Sequence, residues 1–250
     1  MIPQPFIKGA GERVYFGPYE YPLGADIIYD FGNPTCTSAF NTSRIVYNVG
    51  SASVTASVIP FNNPSPEYPV LTNGVAQFRN QSGAGGNYIQ WNWQNTAEQT
   101  NVFVYEPVTG SGDVPYTFPY FNAGTSALSV TIDRSTPPQL SAFAYPSGDL
   151  FPGTRLNVDS SNGRNGWNNI TFLADSSTYH ALYINAGTPT INTDNISRGN
   201  SGFNNFILPR AQSSSTNGTC SVMAFLQYPR LLTPKEIRQI NKVFAQRYFL

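Results

Sequence analysis

The sequence is short of charge. Only 11% of its 250 residues are Asp, Glu, Lys or Arg, so the solvent-facing surface must be built largely from Ser, Thr, Asn, Gln and Gly. That composition suits short strands joined by many turns. Formal net charge is zero, and no global field draws the chain to nucleic acid or to an anionic membrane. Cysteine is nearly absent: Cys36 and Cys220 stand 184 positions apart and make no disulfide framework, so reduced thiols in a cytosol are the default expectation. No run of 18 apolar residues exists, and the opening MIPQPFIKGAGERVYFG has no apolar h-region. Neither a membrane span nor a secretory signal is expected. Without a signal, the five N-x-S/T sequons, at Asn41, Asn80, Asn169, Asn195 and Asn217, are expected to be unused.

Catalytic sets are missing too. Glycosidic cleavage needs two carboxylates facing one bond, whereas Glu98, Glu106, Asp113, Asp133, Asp149, Asp159, Asp175 and Asp194 are scattered singly. His180 is the only histidine. A zinc site or a nucleophilic triad would have to centre on it without a second histidine or a nearby cysteine. Gly83-Ala84-Gly85-Gly86 is a turn lacking the Lys and the following helix of a phosphate loop. Stacking of nucleic-acid bases needs a basic groove beside the aromatics, and the aromatic regions carry almost no Lys or Arg. No enzyme activity is expected.

What the chain has in quantity is aromatic residues, 14%. Residues 1–24 are rich in Pro, Gly and aromatics and read as an extended N-terminal arm. Phe6, Tyr15, Phe16, Tyr19 and Tyr21 are its candidate partner contacts. From residue 25 to 250 the pattern is that of a single domain of short strands about ten residues apart. Expected strands are 25–29, 44–49, 53–59, 76–79, 88–93, 100–105, 126–133, 140–145, 167–174, 180–185, 205–208 and 219–228. The last is apolar throughout, as for a strand covered on both faces. The period then changes. Thr233 is a candidate N-cap, Pro234 opens the first turn and Glu236 completes a T-x-x-E capping box. Ile237, Ile240, Val243, Phe244 and Tyr248 share one face of a helix over about 234–248. Charge is uneven: residues 1–209 hold 8 basic and 13 acidic residues, a net of −5, and residues 210–250 hold 6 and 1, a net of +5. Lys235, Arg238 and Lys242 on the helix are therefore further candidate partner contacts.

Five segments in order resemble the concanavalin A-like lectin/glucanase superfamily, in its laminin-G-like branch. They are Ile28-Tyr29-Asp30-Phe31-Gly32-Asn33-Pro34; Ile45-Val46-Tyr47-Asn48-Val49-Gly50, with Asn48 where Asp is usual; and Gly74-Val75-Ala76-Gln77-Phe78 with Asn87-Tyr88-Ile89. The fourth is Trp167-Asn168-Asn169-Ile170-Thr171-Phe172 with Leu182-Tyr183-Ile184-Asn185, whose continuation Ala186-Gly187 displaces the usual Asn-Gly turn by one residue. The fifth is the closing Tyr228-Pro229-Arg230-Leu231-Leu232-Thr233-Pro234-Lys235-Glu236-Ile237. Residues 100–160 match no motif of the family.

The resemblance implies an all-β, two-sheet antiparallel jelly-roll sandwich with one C-terminal helix, the last strand pairing near the first. Cys36 and Cys220 then fall in the same half of the sandwich. Laminin-G-like domains bind a single calcium through an Asp and loop carbonyls; Asp113, Asp159, Asp175 and Asp194 lie in loops of that chemistry, and no spacing singles one out, so no cofactor is assigned. Stand-alone domains of this type occur in phage and viral particles. The expected function is thus a non-enzymatic virion structural protein, a capsid decoration, minor capsid or tail-appendage component. It is assembled in the host cytoplasm and contacts copies of itself or other virion proteins. The alternative is a carbohydrate-binding, lectin-like module or receptor-binding adhesin that takes host-surface glycan. Trp91 and Trp93 are its candidate stacking platform and Asn92 and Asn95 its hydrogen-bonding partners, with core packing as the competing use of both tryptophans.

Overall fold

The computed structural model describes residues 17–61, 69–78, 86–94, 96, 98–107, 120–122, 128–133, 139–144, 148–149, 168–175, 179–193, 203–208 and 220–248. They form two antiparallel sheets and a C-terminal helix. Sheet A runs β14 (Thr190–Asn192), β13 (His180–Ile184), β12 (Asn168–Ala174), β7 (Gln99–Pro107), β16 (Cys220–Tyr228), β5 (Val75–Phe78) and β4 (Val70–Thr72). Its eighth strand, β1 (Ile27–Asp30), pairs with the second half of β16. Sheet B runs β11 (Gly148–Asp149), β10 (Gln139–Ala144), β9 (Leu128–Asp133), β8 (Tyr120–Asn122), β15 (Phe203–Leu208), β6 (Gly86–Gln94), β3 (Thr55–Phe61) and β2 (Ile45–Tyr47). First and last strands pair as the sequence led us to expect. Two one-turn helices, α1 (Pro34–Thr37) and α2 (Phe40–Ser43), accompany the long α3 (Pro234–Tyr248).

The two sheets face each other across one apolar core. Ile27, Tyr29, Phe103 and Phe225 of sheet A meet Val46, Ala56, Ile89 and Trp91 of sheet B. The Trp91 ring lies 4.8 Å from that of Phe225 and 5.1 Å from that of Tyr29, centroid to centroid. A second core lies on the other face of sheet A, where Val102, Val104, Leu226 and Tyr228 pack under Ile237, Ile240, Val243 and Phe244 of α3. Strand β16 is therefore buried on both sides. Register against β7 shifts between Val222 and Ala224, so Met223 is an extra residue in the strand. The bulge changes which parity faces the sheets: Val222 joins the inter-sheet core, Met223 and Ala224 both join the helix-side core, and Phe225 returns to the inter-sheet core.

Three departures from sequence expectation have simple causes. Asn33-Pro34, where no helix is expected, starts α1: the Asn33 side chain caps Thr35 N at 2.9 Å and Pro34 supplies the fixed φ of a first turn. The turn after β13 needs two left-handed residues, and Asn185 (φ 49°) and Ala186 (φ 56°) take both positions, closed by Gly187 N to Ile184 O at 2.8 Å. Alanine thus occupies the place glycine fills in the usual Asn-Gly turn. Asn73-Gly74 makes the ordinary version between β4 and β5.

The third concerns Asn48. Its Oδ1 accepts from Ile28 N (2.7 Å) and Gly50 N (2.9 Å), and its Nδ2 donates to Asp26 O and Ala52 O, both at 2.7 Å. All four bonding positions of the carboxamide are used, which an aspartate cannot match because it donates nothing. Gly50 beside it is packed so closely that a Cβ there would run into the Asp26 carbonyl.

Candidate functional site

The N-terminal segment is folded onto its own domain as far as it is described. Tyr21 is buried and stacks on Phe244, with ring centroids 5.6 Å apart. Its hydroxyl donates to Asp30 Oδ2 and accepts from Arg247 Nη1 at 2.7 Å. Arg247 also forks onto both oxygens of Asp30, at 2.7 Å each, and lies 4.7 Å above the Tyr19 ring. Burial, and then the Asp30 carboxylate, push the Tyr21 hydroxyl well above the usual phenol range. Tyr21 is thus used internally, with little surface left for a partner. Tyr19 is half-exposed and anchored by its hydroxyl to Gly32 O at 2.7 Å. Phe6, Tyr15 and Phe16 lie outside the described residues.

At the other end of α3 the closing motif is one network. Arg230 pairs with Glu236 at 2.6 Å and donates to Leu23 O at 3.0 Å. Thr233 N donates to Glu236 Oε2 at 2.8 Å, and Glu236 N donates back to Thr233 Oγ1 at 3.3 Å, the capping box expected from the sequence. Hydrogen bonds from Arg230 hold the Glu236 carboxyl down at about 2. With Arg230 and Arg247 so engaged, the positive charge presented by α3 is the exposed stripe Lys235, Arg238 and Lys242.

The tryptophans face inward. Trp91 is 3% exposed in the inter-sheet core, and Trp93, on the same face of β6, packs against that core half-buried. Trp91 is therefore unavailable as a stacking platform, because the ring that would meet a ligand is enclosed by Tyr29 and Phe225. Alternation along a strand then puts Gln90 and Asn92 on the opposite, outer face of sheet B, and Asn92 is exposed there. The sequence grouped Asn92 with the tryptophans; the fold separates them. Asn95 lies outside the described residues.

The described part of that outer face lies on β2, β3 and β6. Register sets Ser57 opposite Gln90, Gln90 opposite Ile207 and Ile207 opposite Tyr120. The next row sets Asn92 opposite Asn205 and Asn205 opposite Asn122, three asparagine positions in line across β6, β15 and β8. At the β2 edge Tyr47, 38% exposed, stands opposite the exposed Thr55. Among the described side chains this face carries the Asn92 and Gln90 carboxamides, the Ser57 and Thr55 hydroxyls and the Tyr47 ring, groups that donate and accept hydrogen bonds without charge. Among the described residues no group of three His, Cys, Asp or Glu side chains is placed to hold a metal. Asp175 instead accepts from Tyr179 N at 2.8 Å and shapes the β12–β13 turn; Asp113, Asp159 and Asp194 lie outside the described residues. His180 is fully buried against Phe172. Cys36 is a buried free thiol, not joined to Cys220. No helix of the described chain is long and apolar enough to cross a membrane.

No protein-family model matches the chain, and no curated protein sequence matches it. Solved structures do. Domain 4 of AbnA, a GH43 extracellular arabinanase from Geobacillus stearothermophilus, solved with arabinotriose, superposes with a TM-score of 0.57 at 13% identity, over 87% of this chain and 98% of that one. Trypanosoma rangeli sialidase in complex with sialic acid gives 0.57 at 13% identity, over 90% of this chain and 33% of the sialidase. The botulinum neurotoxin type G receptor binding domain gives 0.50 at 16%, over 88% and 51%. The likeness is one of fold. The chain spans about a third of the sialidase chains it matches, and those neighbours include enzymes as well as a receptor-binding domain.

Proposed function

We propose that this chain is a non-catalytic carbohydrate-binding module of the concanavalin A-like jelly-roll type, taking neutral glycan on the outer face of sheet B. The observation that carries this is the uncharged face around exposed Asn92, with Gln90, Ser57, Thr55 and Tyr47 beside it. Such a face hydrogen-bonds hydroxyls through carboxamides and covers a sugar ring with an aromatic edge. A neighbour of the same fold supports it: domain 4 of AbnA was solved with arabinotriose, a neutral sugar.

A glycan array, probed with and without calcium and followed by calorimetry on the strongest hit, tests the proposal. Asn92→Ala and Tyr47→Ala are expected to weaken that hit at least tenfold while leaving the melting temperature in place, since both residues point away from the core. An array blank in both conditions, or undiminished binding by the two variants, overturns it.

A place in a virion is a separate proposal, supported by the exposed Lys235, Arg238 and Lys242 stripe as a docking surface for an acidic protein. Purified particles that lack the chain after fractionation refute it.

A further inference from the structure

We infer that Gln99, Asn101 and Gln227 form an internal hydration site, a cluster of carboxamides between the two sheets that holds ordered water. All three are 2% exposed or less. Gln99 and Asn101 lie two residues apart on β7, on the face that carries Phe103 into the inter-sheet core, and Gln227 stands directly opposite Asn101 on β16. Three amides therefore converge at one end of that core.

Their hydrogen bonding is incomplete. Gln99 Oε1, Gln227 Oε1 and both amide atoms of Asn101 have no hydrogen-bond partner among the described residues. Buried polar groups in folded proteins are almost always satisfied, and leaving one without a partner is strongly unfavourable. Four such atoms within one cross-strand neighbourhood call for a guest.

The chemistry of the guest follows from the donor set. Asn101 offers both a donor and an acceptor, and the two glutamine oxygens offer acceptors, so the guest must donate and accept. An ion does not suit the site. Asp30 is the one buried acid among the described residues; it lies on the helix side of sheet A and is already paired with Arg247. A cation among these amides would have no counter-charge, and a buried uncompensated charge is strongly unfavourable. A neutral molecule of hydroxyl type fits. Opposed residues in a ladder stand about 5 Å apart at Cβ, and a buried water bridges about three such groups.

A crystal structure of the protein at about 1.5 Å tests this directly. Water peaks within hydrogen-bonding distance of at least two of the three amides are expected. Dry amides paired with one another overturn the inference, and density for anything larger than water does too. Substitution gives a test of sign. Asn101→Leu in a hydrated site strands Gln227 and Gln99, and the melting temperature falls by several degrees. In a dry site the same substitution removes an unsatisfied group and the melting temperature rises, which refutes the inference. Should the variant fail to fold, water-proton relaxation dispersion on the unaltered protein counts long-lived internal waters, and a count of zero is equally decisive.

Discussion

Asn48→Asp changes one nitrogen for one oxygen, and the consequences are calculable from four distances. The wild-type amide donates to Asp26 O and Ala52 O at 2.7 Å each. A carboxylate keeps the bonds from Ile28 N and Gly50 N but loses both donated bonds, at about 1 kcal/mol each, and leaves two carbonyls facing a negative charge, for at least about 1 kcal/mol more. The expected destabilisation is about 3 kcal/mol, or about 6–12 °C in Tm for a chain of this size. The two carbonyls and the loss of hydration outweigh the Ile28 and Gly50 N–H groups and raise the variant carboxyl above its unfolded value of about 3.9. A group raised in the folded state adds stability when protonated, so part of the loss is recovered below pH 4 as the carboxylic acid donates one bond again. Urea titrations of wild type and variant at pH 7 and pH 4 measure the difference, which should shrink on acidification. A gap under about 1 kcal/mol at pH 7, or one that does not change with pH, refutes the reasoning.

Arg247→Met leaves the Asp30 carboxylate buried without its partner and should cost about 3–5 kcal/mol, read by denaturant titration; the double variant Asp30→Asn, Arg247→Met should recover part of that loss. Glu236 is held near 2 against an ordinary value of 4.5. Its contribution is present above 4.5 and lost as pH falls toward 2, about 1–2 kcal/mol once the partial exposure of the pair is discounted, and Glu236→Gln should flatten that limb of the stability profile. Ala186→Gly relieves a left-handed alanine and should raise stability by about 0.5–1 kcal/mol in thermal melts. Burial pushes the Cys36 thiol up to about 12, so a disulfide reagent should leave it unmodified until the protein unfolds.

Much of the scaffold is legible in the sequence because local chemistry and tertiary environment agree there. The last strand and helix are the best case: an apolar run long enough to be buried twice, then a capping box whose two partners lie three residues apart. Strands β4, β8, β11 and β14 were not anticipated, since two or three residues show no alternation and exist only through their neighbours in the ladder. The bulge at Met223 leaves no mark in a run that is apolar on every residue. At the candidate site, spacing places Trp91 and Trp93 on one face but does not say which face is inside. The line of Asn92, Asn205 and Asn122 depends on pairing across 113 and 83 positions, so no local pattern announces it.

The clasp of Asp30 with Arg247 has a mechanical consequence. It draws the end of the first strand and the end of the last helix to one spot, and Arg247 also holds the backbone at Pro18 there, so the segment leading into β1 and the end of α3 share a single point of attachment. Tension along that chain does not shear the sheets. It loads the clasp and the stacked rings of Tyr19, Tyr21 and Phe244, and it peels the helix while the paired strands stay slack.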